Sequence, residues 1–223
     1  MFRRIASAVA LLTALVSVPA LAADLSMPTP TEKTVFTPVP AVNWTGFYAG
    51  VFVGAHLGTV QEYVCSGGCA GNFALNGVEG GVQAGYDYQF SRNWVVGGFV
   101  QLPLLKPTGS ATIAGPTTFT VDPKFGIVGG VRVGYVMGKF LPYGLVGIAA
   151  ENDTVSDPGN APNATHVGFV AGVGAEYRLA QHWSLDARYT YMSLGAATYD
   201  WGGGPEKYGE NSHNFTIAAN YRF

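Results

Sequence analysis

Four groups of residues in this 223-residue chain have types and spacings that could do chemistry. His182-Trp183-Ser184 sets an imidazole two positions from a hydroxyl, the raw material of acyl transfer if an acid orients the ring. Cys65 and Cys69, in CSGGC, could pair or offer two thiolates to a metal, with His56 the one further ligand near in sequence. Glu79, Asp87, Glu176 and Asp186 stand against Arg132, Arg178, Arg188 and Arg222, acids and guanidiniums in equal number. Finally, Tyr199 and Trp201 in YDWGGGPEKYG, with His166 and His213, could stack on a partner or a flat, haem-like ligand.

What any of these groups does depends on the elements that hold it. Gly is frequent (31 residues), aromatics make up 13% and charged residues only 12%, about half the usual charged share of a soluble domain. High Gly and aromatic content with little charge argues against disorder. A net charge of -2 leaves no basic face for nucleic acid. Residues 1–22, MFRRIASAVALLTALVSVPALA, combine a basic start, a short apolar run and a small-residue junction. They read as a secretory leader cleaved between Ala22 and Ala23. Residues 23–42 follow with Pro28, Pro30, Pro38 and Pro40, an extended periplasmic spacer. Nothing after the leader is a continuous apolar helix of membrane length, so the exported chain is either soluble or crosses a membrane as strands.

From residue 43 to 223 the texture is uniform alternation. Eight strands are expected near Gly46–Leu57, Asn76–Phe90, Trp94–Leu104, Lys124–Met137, Phe140–Ala150, His166–Leu179, Trp183–Met192 and Asn214–Phe223. Three connections are tight: Ser91-Arg92-Asn93, Gly138-Lys139 and Ala180-Gln181-His182. The other four, near 58–75, 105–123, 151–165 and 193–213, are long and rich in Gly, Pro, Asn, Thr and Ser. Short turns at one end and long loops at the other make an up-and-down transmembrane barrel, all-β and antiparallel, with turns in the periplasm and loops outside the cell.

Face assignment decides between lipid and water. Val78, Val82, Ala84, Tyr86, Tyr88 and Phe90 share one parity, while Glu79, Gln83, Asp87 and Gln89 share the other. Phe125, Ile127, Val131, Val133 and Tyr135 oppose Arg132; Phe169, Val173 and Tyr177 oppose Glu176 and Arg178; Trp183, Leu185, Ala187, Tyr189 and Tyr191 oppose Asp186 and Arg188. Arg222 stands alone on its face of the last strand. A soluble sandwich and a membrane barrel both alternate in this way. Three features favour the barrel. The polar face holds few Lys or Glu and much Gly, which suits a crowded interior better than a solvated surface. Its acids and arginines balance, as enclosed charges must. Large aromatics, Trp44, Phe90, Trp94, Phe140 and Trp183, gather beside the short turns as an interfacial girdle.

WTGFYAGVFVGA at 44–55, GGVQAGYDYQFSRNWVVG at 80–97, GFVAGVGAEYRLAQHWSLDARYTYMSLG at 168–195 and the final FTIAANYRF resemble the porin-like outer-membrane β-barrel superfamily. Within it they are most similar to an alphaproteobacterial branch of surface antigens and haemin-binding proteins, distantly related to OmpA-like eight-stranded barrels. The resemblance implies the outer membrane of a Gram-negative bacterium as the location. It implies outer-membrane lipid, lipopolysaccharide and the assembly machinery as partners, and a monomer, a partner protein being possible. Tyr221 and Phe223 are similar to the C-terminal signal that such machinery reads. No cofactor, metal or catalytic residue is expected.

In an oxidising compartment Cys65 and Cys69 most simply form a disulfide across Gly67-Gly68. Lipid A deacylases with eight strands use a Ser/His pair at the H-x-S spacing, but they work at the outer leaflet, and 182–184 is expected at a periplasmic turn. Eight strands leave an interior that side chains nearly fill. Glu79, Asp87, Arg132, Glu176, Arg178, Asp186, Arg188 and Arg222 are therefore expected as one lumenal charge network, with Arg132 or Arg188 pairing with Glu79, Glu176 or Asp186. The function expected is a structural or surface role, with a narrow porin, or haemin binding or adhesion through the loops, as alternatives.

Overall fold

The computed structural model describes residues 42–64, 72–107, 109–112, 118–156, 162–200 and 205–223. The leader with its Ala22/Ala23 junction, the spacer as far as residue 41, Cys65, Cys69 and Trp201 lie outside these residues.

The strands are β1 (Gly46–Val64), β2 (Phe73–Gln89), β3 (Trp94–Leu105), β4 (Gly109–Thr112), β5 (Thr118–Tyr135), β6 (Phe140–Ser156), β7 (Asn163–Arg178), β8 (Trp183–Asp200) and β9 (Pro205–Arg222). They pair in the order β3-β2-β1-β9-β8-β7-β6-β5-β4, and β3 also pairs with β5, which closes the sheet. Every pairing is antiparallel. Nine segments make eight staves, because β4 is the upper part of the third. The β3–β5 ladder stops at Gln101↔Val128 and β4 resumes it at Gly109↔Val121. Pro103 and Pro107 fall in that interval, and neither has an N–H to give to a ladder.

β1 and β9, the first and last strands, pair from Tyr48↔Arg222 to Val64↔Lys207, and the Phe223 amide donates to the Phe47 carbonyl at 3.1 Å. The closing segment HNFTIAANYRF is thus hydrogen-bonded on both sides, to β8 and to β1. At the same short-turn end, Gly138 adopts φ +66°, the left-handed conformation that a two-residue hairpin needs.

The outer surface is apolar. Val51, Val53, Val78, Val100, Val131, Val146, Ile148, Phe169, Val173 and Ile217 are all exposed, while Asp87, Arg132, Glu176, Asp186, Arg188 and Arg222 are buried. This is the inverse of a water-soluble protein, whose exposed apolar patches rarely exceed a few hundred Å². Phe90, Trp94, Phe140 and Trp183 ring the short-turn end with their faces outward, braced by Trp94–Tyr135 and Trp183–Tyr221 edge contacts. Trp44 does not join them. It is fully buried inside the mouth of the barrel, because it precedes β1, where alternation no longer governs which way a side chain points.

The strands run well beyond the lengths read from alternation, into segments expected as loops. On β6, Phe140, Val146 and Ile148 face outward, and Asn152 then follows on the same parity. Ten or so apolar-banded residues match what a tilted strand needs to span lipid. Above the band the outward positions turn polar (Thr59, Asn76, Asn152, Thr165), so the hydrophobic signal vanishes while the hydrogen-bonded ladder continues.

Two glycines admit the aromatic rings that cross the lumen. Gly85 is the direct ladder partner of Tyr48 and Gly174 that of Tyr143. A Cβ on Gly85 would stand 2.5 Å from the Tyr48 ring, and one on Gly174 would meet the Tyr143 ring as closely. The phenol ends of the rings pass over the bare backbone and cover the glycine. Gly85→Ala should destabilise the barrel by about 2 kcal/mol through overpacking. The check is a lower temperature for conversion of the folded to the unfolded band on semi-native gels, and an unchanged midpoint would refute it.

Candidate functional site

The lumen is stacked in tiers, and side chains from every stave contribute. At the short-turn mouth, Trp44 packs with Val95, Val136 and Leu141. Its indole carries the guanidinium of Arg178 at 4.7 Å and that of Arg222 at 4.9 Å. Arg178 also donates to the carbonyls of Asn43 and Gln181. Among the described residues no carboxylate lies within ion-pair distance of it, so Arg178 is inward as expected but serves the Trp44 tier rather than the acid–arginine network.

Directly above sits a compact charge layer. Arg132 from β5 grips Asp87 of β2 with two nitrogens, at 2.9 and 2.5 Å, and reaches Glu176 of β7 at 2.9 Å. Arg222 from β9 donates to Asp87 at 2.6 Å, to Glu176 at 3.0 Å and to the Trp44 carbonyl at 3.0 Å. Ser184 and Asn220 complete the shell of Glu176. On β8, Arg188 pairs with Asp186 at 2.9 Å, and Tyr143 bridges the two, donating to Asp186 at 2.6 Å and accepting from Arg188 at 3.0 Å. Three carboxylates therefore meet three guanidiniums, and the layer is neutral. Aromatic faces cover the cations: Arg132 lies between Tyr48 and Tyr143, at 4.8 and 5.0 Å, and Arg188 over Phe99 at 5.0 Å. Such cation–ring contacts stabilise most when desolvated.

Glu79 does not belong to this layer. It lies eight residues from Asp87 along the same strand, about 26 Å of extended chain, too far for one network. Between the two charged tiers run the amide ladder Gln101–Gln83–Asn220 and an apolar cluster of Phe99, Leu145, Val170, Met192 and Leu194 with the ring of Tyr143.

The upper tier contains Glu79 and residues that alternation did not assign to the lumen. His56 bonds Glu210 at 2.7 Å and stands 4.0 Å from Glu79. Lys106 pairs with Glu151 at 2.5 Å, and His166 faces Asp153 at 3.8 Å. Lys106, Glu151, Asp153 and Glu210 were concealed in segments read as loops, although each follows the inward parity of its strand or, for Lys106, the break that ends one. Both His166 nitrogens are engaged, one with the Gly195 carbonyl and one with the Tyr199 hydroxyl. His213 is on the outer wall, bonded to Tyr189. The H-x-S fragment is split by the sheet: Ser184 points inward to Glu176, while His182 bonds the Arg222 carbonyl at the turn.

A model of the outer membrane protein beta-barrel domain matches residues 8–223. The chain belongs to that family. It is 28% identical to the 31 kDa outer-membrane immunogenic protein of Brucella melitensis biotype 1, over 95% of this chain and 97% of that protein. It is 30% identical to a 22 kDa outer membrane protein of Rhizobium leguminosarum bv. viciae, over 46% of this chain and half of that protein. Among solved structures, Pseudomonas aeruginosa OprG is similar in fold, with a TM-score of 0.51 at 14% identity over 80% of this chain and 96% of that one. As a member of this outer-membrane family, the chain is an integral outer-membrane barrel whose apolar belt faces lipid.

Removing one partner from a buried ion pair leaves an uncompensated charge, which costs about 3–5 kcal/mol. Glu176→Gln should therefore lower stability by about that amount, since Arg132 and Arg222 both lean on this carboxylate. Urea unfolding in lipid vesicles measures it, and a loss under about 1 kcal/mol would mean the layer is solvated.

Proposed function

We propose that this barrel is a sealed, non-enzymatic scaffold that displays its long-hairpin end at the cell surface. The observation that carries this reading is the charge layer. Arg132, Asp87, Glu176 and Arg222 are at most 3% exposed, and they are tied to one another across the full width of the lumen. A solute would have to break at least four charge-assisted hydrogen bonds, each costly in a low-dielectric interior. The tall hairpins supply the surface, and the Brucella relatives named immunogenic are consistent with an exposed part. His182 and Ser184 lie on different faces of the wall, which leaves no acyl-transfer pair there. Neither nitrogen of His166 is available for iron, which weighs against haemin capture at that residue. Outer-membrane lipid and the barrel assembly machinery are the partners proposed, with Phe223 as the terminal signal.

Purified protein in planar bilayers should show no steady conductance steps, whereas Arg132→Ala combined with Glu176→Ala should introduce small ones. Steady single-channel steps from the unaltered protein would replace the scaffold reading with a narrow porin. Deletion of Phe223 should lower the yield of assembled barrel in cells more than it alters refolding in detergent, as measured by the fraction that resists heat-free denaturation.

A further inference from the structure

We propose that the short-turn rim of the barrel binds the phosphate groups of anionic phospholipid in the leaflet around it. Each of the three tight turns carries one base beside an outward-facing aromatic ring. Arg92 lies between Phe90 and Trp94, Lys139 precedes Phe140, and His182 precedes Trp183. All of these side chains are exposed. Such rings settle at the headgroup level of a bilayer, so the lipid groups nearest to the adjoining bases are phosphates. Outside the buried charge layer, no Asp or Glu among the described residues lies at this end, and neither Arg92 nor Lys139 has an ion-pair partner among them. The charge layer is neutral in itself and cancels none of this. The unpaired guanidinium of Arg178, inside the mouth, adds to the excess of positive charge.

The turns that present these bases are pinned to their neighbours. The Val136 amide donates to the Asn93 carbonyl at 2.6 Å, and the Asn93 side chain donates to the Val136 carbonyl at 3.2 Å. The Arg178 amide donates to the Lys139 carbonyl at 2.9 Å. His182 is tied twice to Arg222: its carbonyl accepts from the Arg222 amide at 2.7 Å, and its Nδ1–H donates to the Arg222 carbonyl at 2.8 Å. That second bond leaves Nε2 to take any further proton, so His182 is a third cation only when protonated. An acidic peptide would suit the same charges, but the placement favours lipid. The bases adjoin rings that face acyl chains, and the mouth they surround is filled by the buried Trp44. The leaflet, the inner one of the outer membrane, rests on the reading that displays the long hairpins at the cell surface.

Brominated lipids test the rim. The full chain carries Trp201→Phe, so that Trp94 and Trp183 supply the lipid-accessible emission, and is refolded into phosphatidylcholine vesicles. These contain brominated phosphatidylglycerol or, at the same mole fraction, brominated phosphatidylcholine, and quenching of tryptophan fluorescence gives the relative affinity of the two. Phosphatidylglycerol should be preferred about fivefold at low salt, the order expected for a cation held at an anionic surface, and the preference should shrink in high salt. Arg92→Gln with Lys139→Gln should bring it close to parity, and either single variant should lower it if the double one gives no folded band. Lys207→Gln, at the long-hairpin end, should leave it unchanged. Equal quenching by the two lipids, or a preference that survives the double substitution, would overturn the proposal. So would retention on immobilised polyglutamate, lost in the double variant, without any lipid preference, which would assign the rim to an acidic protein. Steady conductance would overturn the sealed scaffold and leave the lipid preference in place, so the two failures are distinct.

Discussion

A guanidinium inside an eight-stranded barrel has almost nowhere to go. The wall is lipid on its far side, water is largely excluded, and the opposite wall is one side chain away. Arg132 and Arg222 resolve this by sharing Asp87 and Glu176, and much else in the lower half follows from that arrangement. Tyr48 and Tyr143 roof the cations, glycines opposite them yield the room, and Trp44 folds beneath as a floor. A pair of surface charges could be exchanged for others without consequence. Here the four groups compensate one another, so the layer also fixes which residue of one stave faces which residue of another.

The architecture was legible because two signals agreed: alternation at period two within the lipid band, and the contrast between tight turns and long connections. Where lipid faces one side and side chains the other, parity has a large energetic meaning, and the inward assignments of Asp87, Arg132, Glu176, Asp186, Arg188 and Arg222 came from parity alone. The same signal failed where its physical cause ended. Above the band both faces of the sheet are polar, so Glu151, Asp153 and Glu210 carried no contrast with their neighbours. Backbone hydrogen bonding, which leaves no trace in composition, carried the strands upward.

Trp44 and Glu79 mark two other limits. A tryptophan beside a short turn has the composition of a girdle residue. What placed it inside was the cation-π and carbonyl hydrogen bonding from Arg178 and Arg222, long-range contacts that local pattern cannot express. Glu79 was correctly inward but wrongly grouped, because parity reports the face of a strand and says nothing of height along it. The family match and the near-full-length similarity to the Brucella protein agree with the architecture, and neither bears on the tiers.

The broken third stave gives the wall an uneven mechanics. The other seven staves are each one continuous strand, although the β7–β8 ladder ends at Gly168↔Leu194. Between Gln101 and Gly109 that continuity is lost on the side facing β5, and two prolines prevent its repair. The barrel thus has a built-in seam of compliance near the top of its lipid belt, beside the Lys106–Glu151 pair.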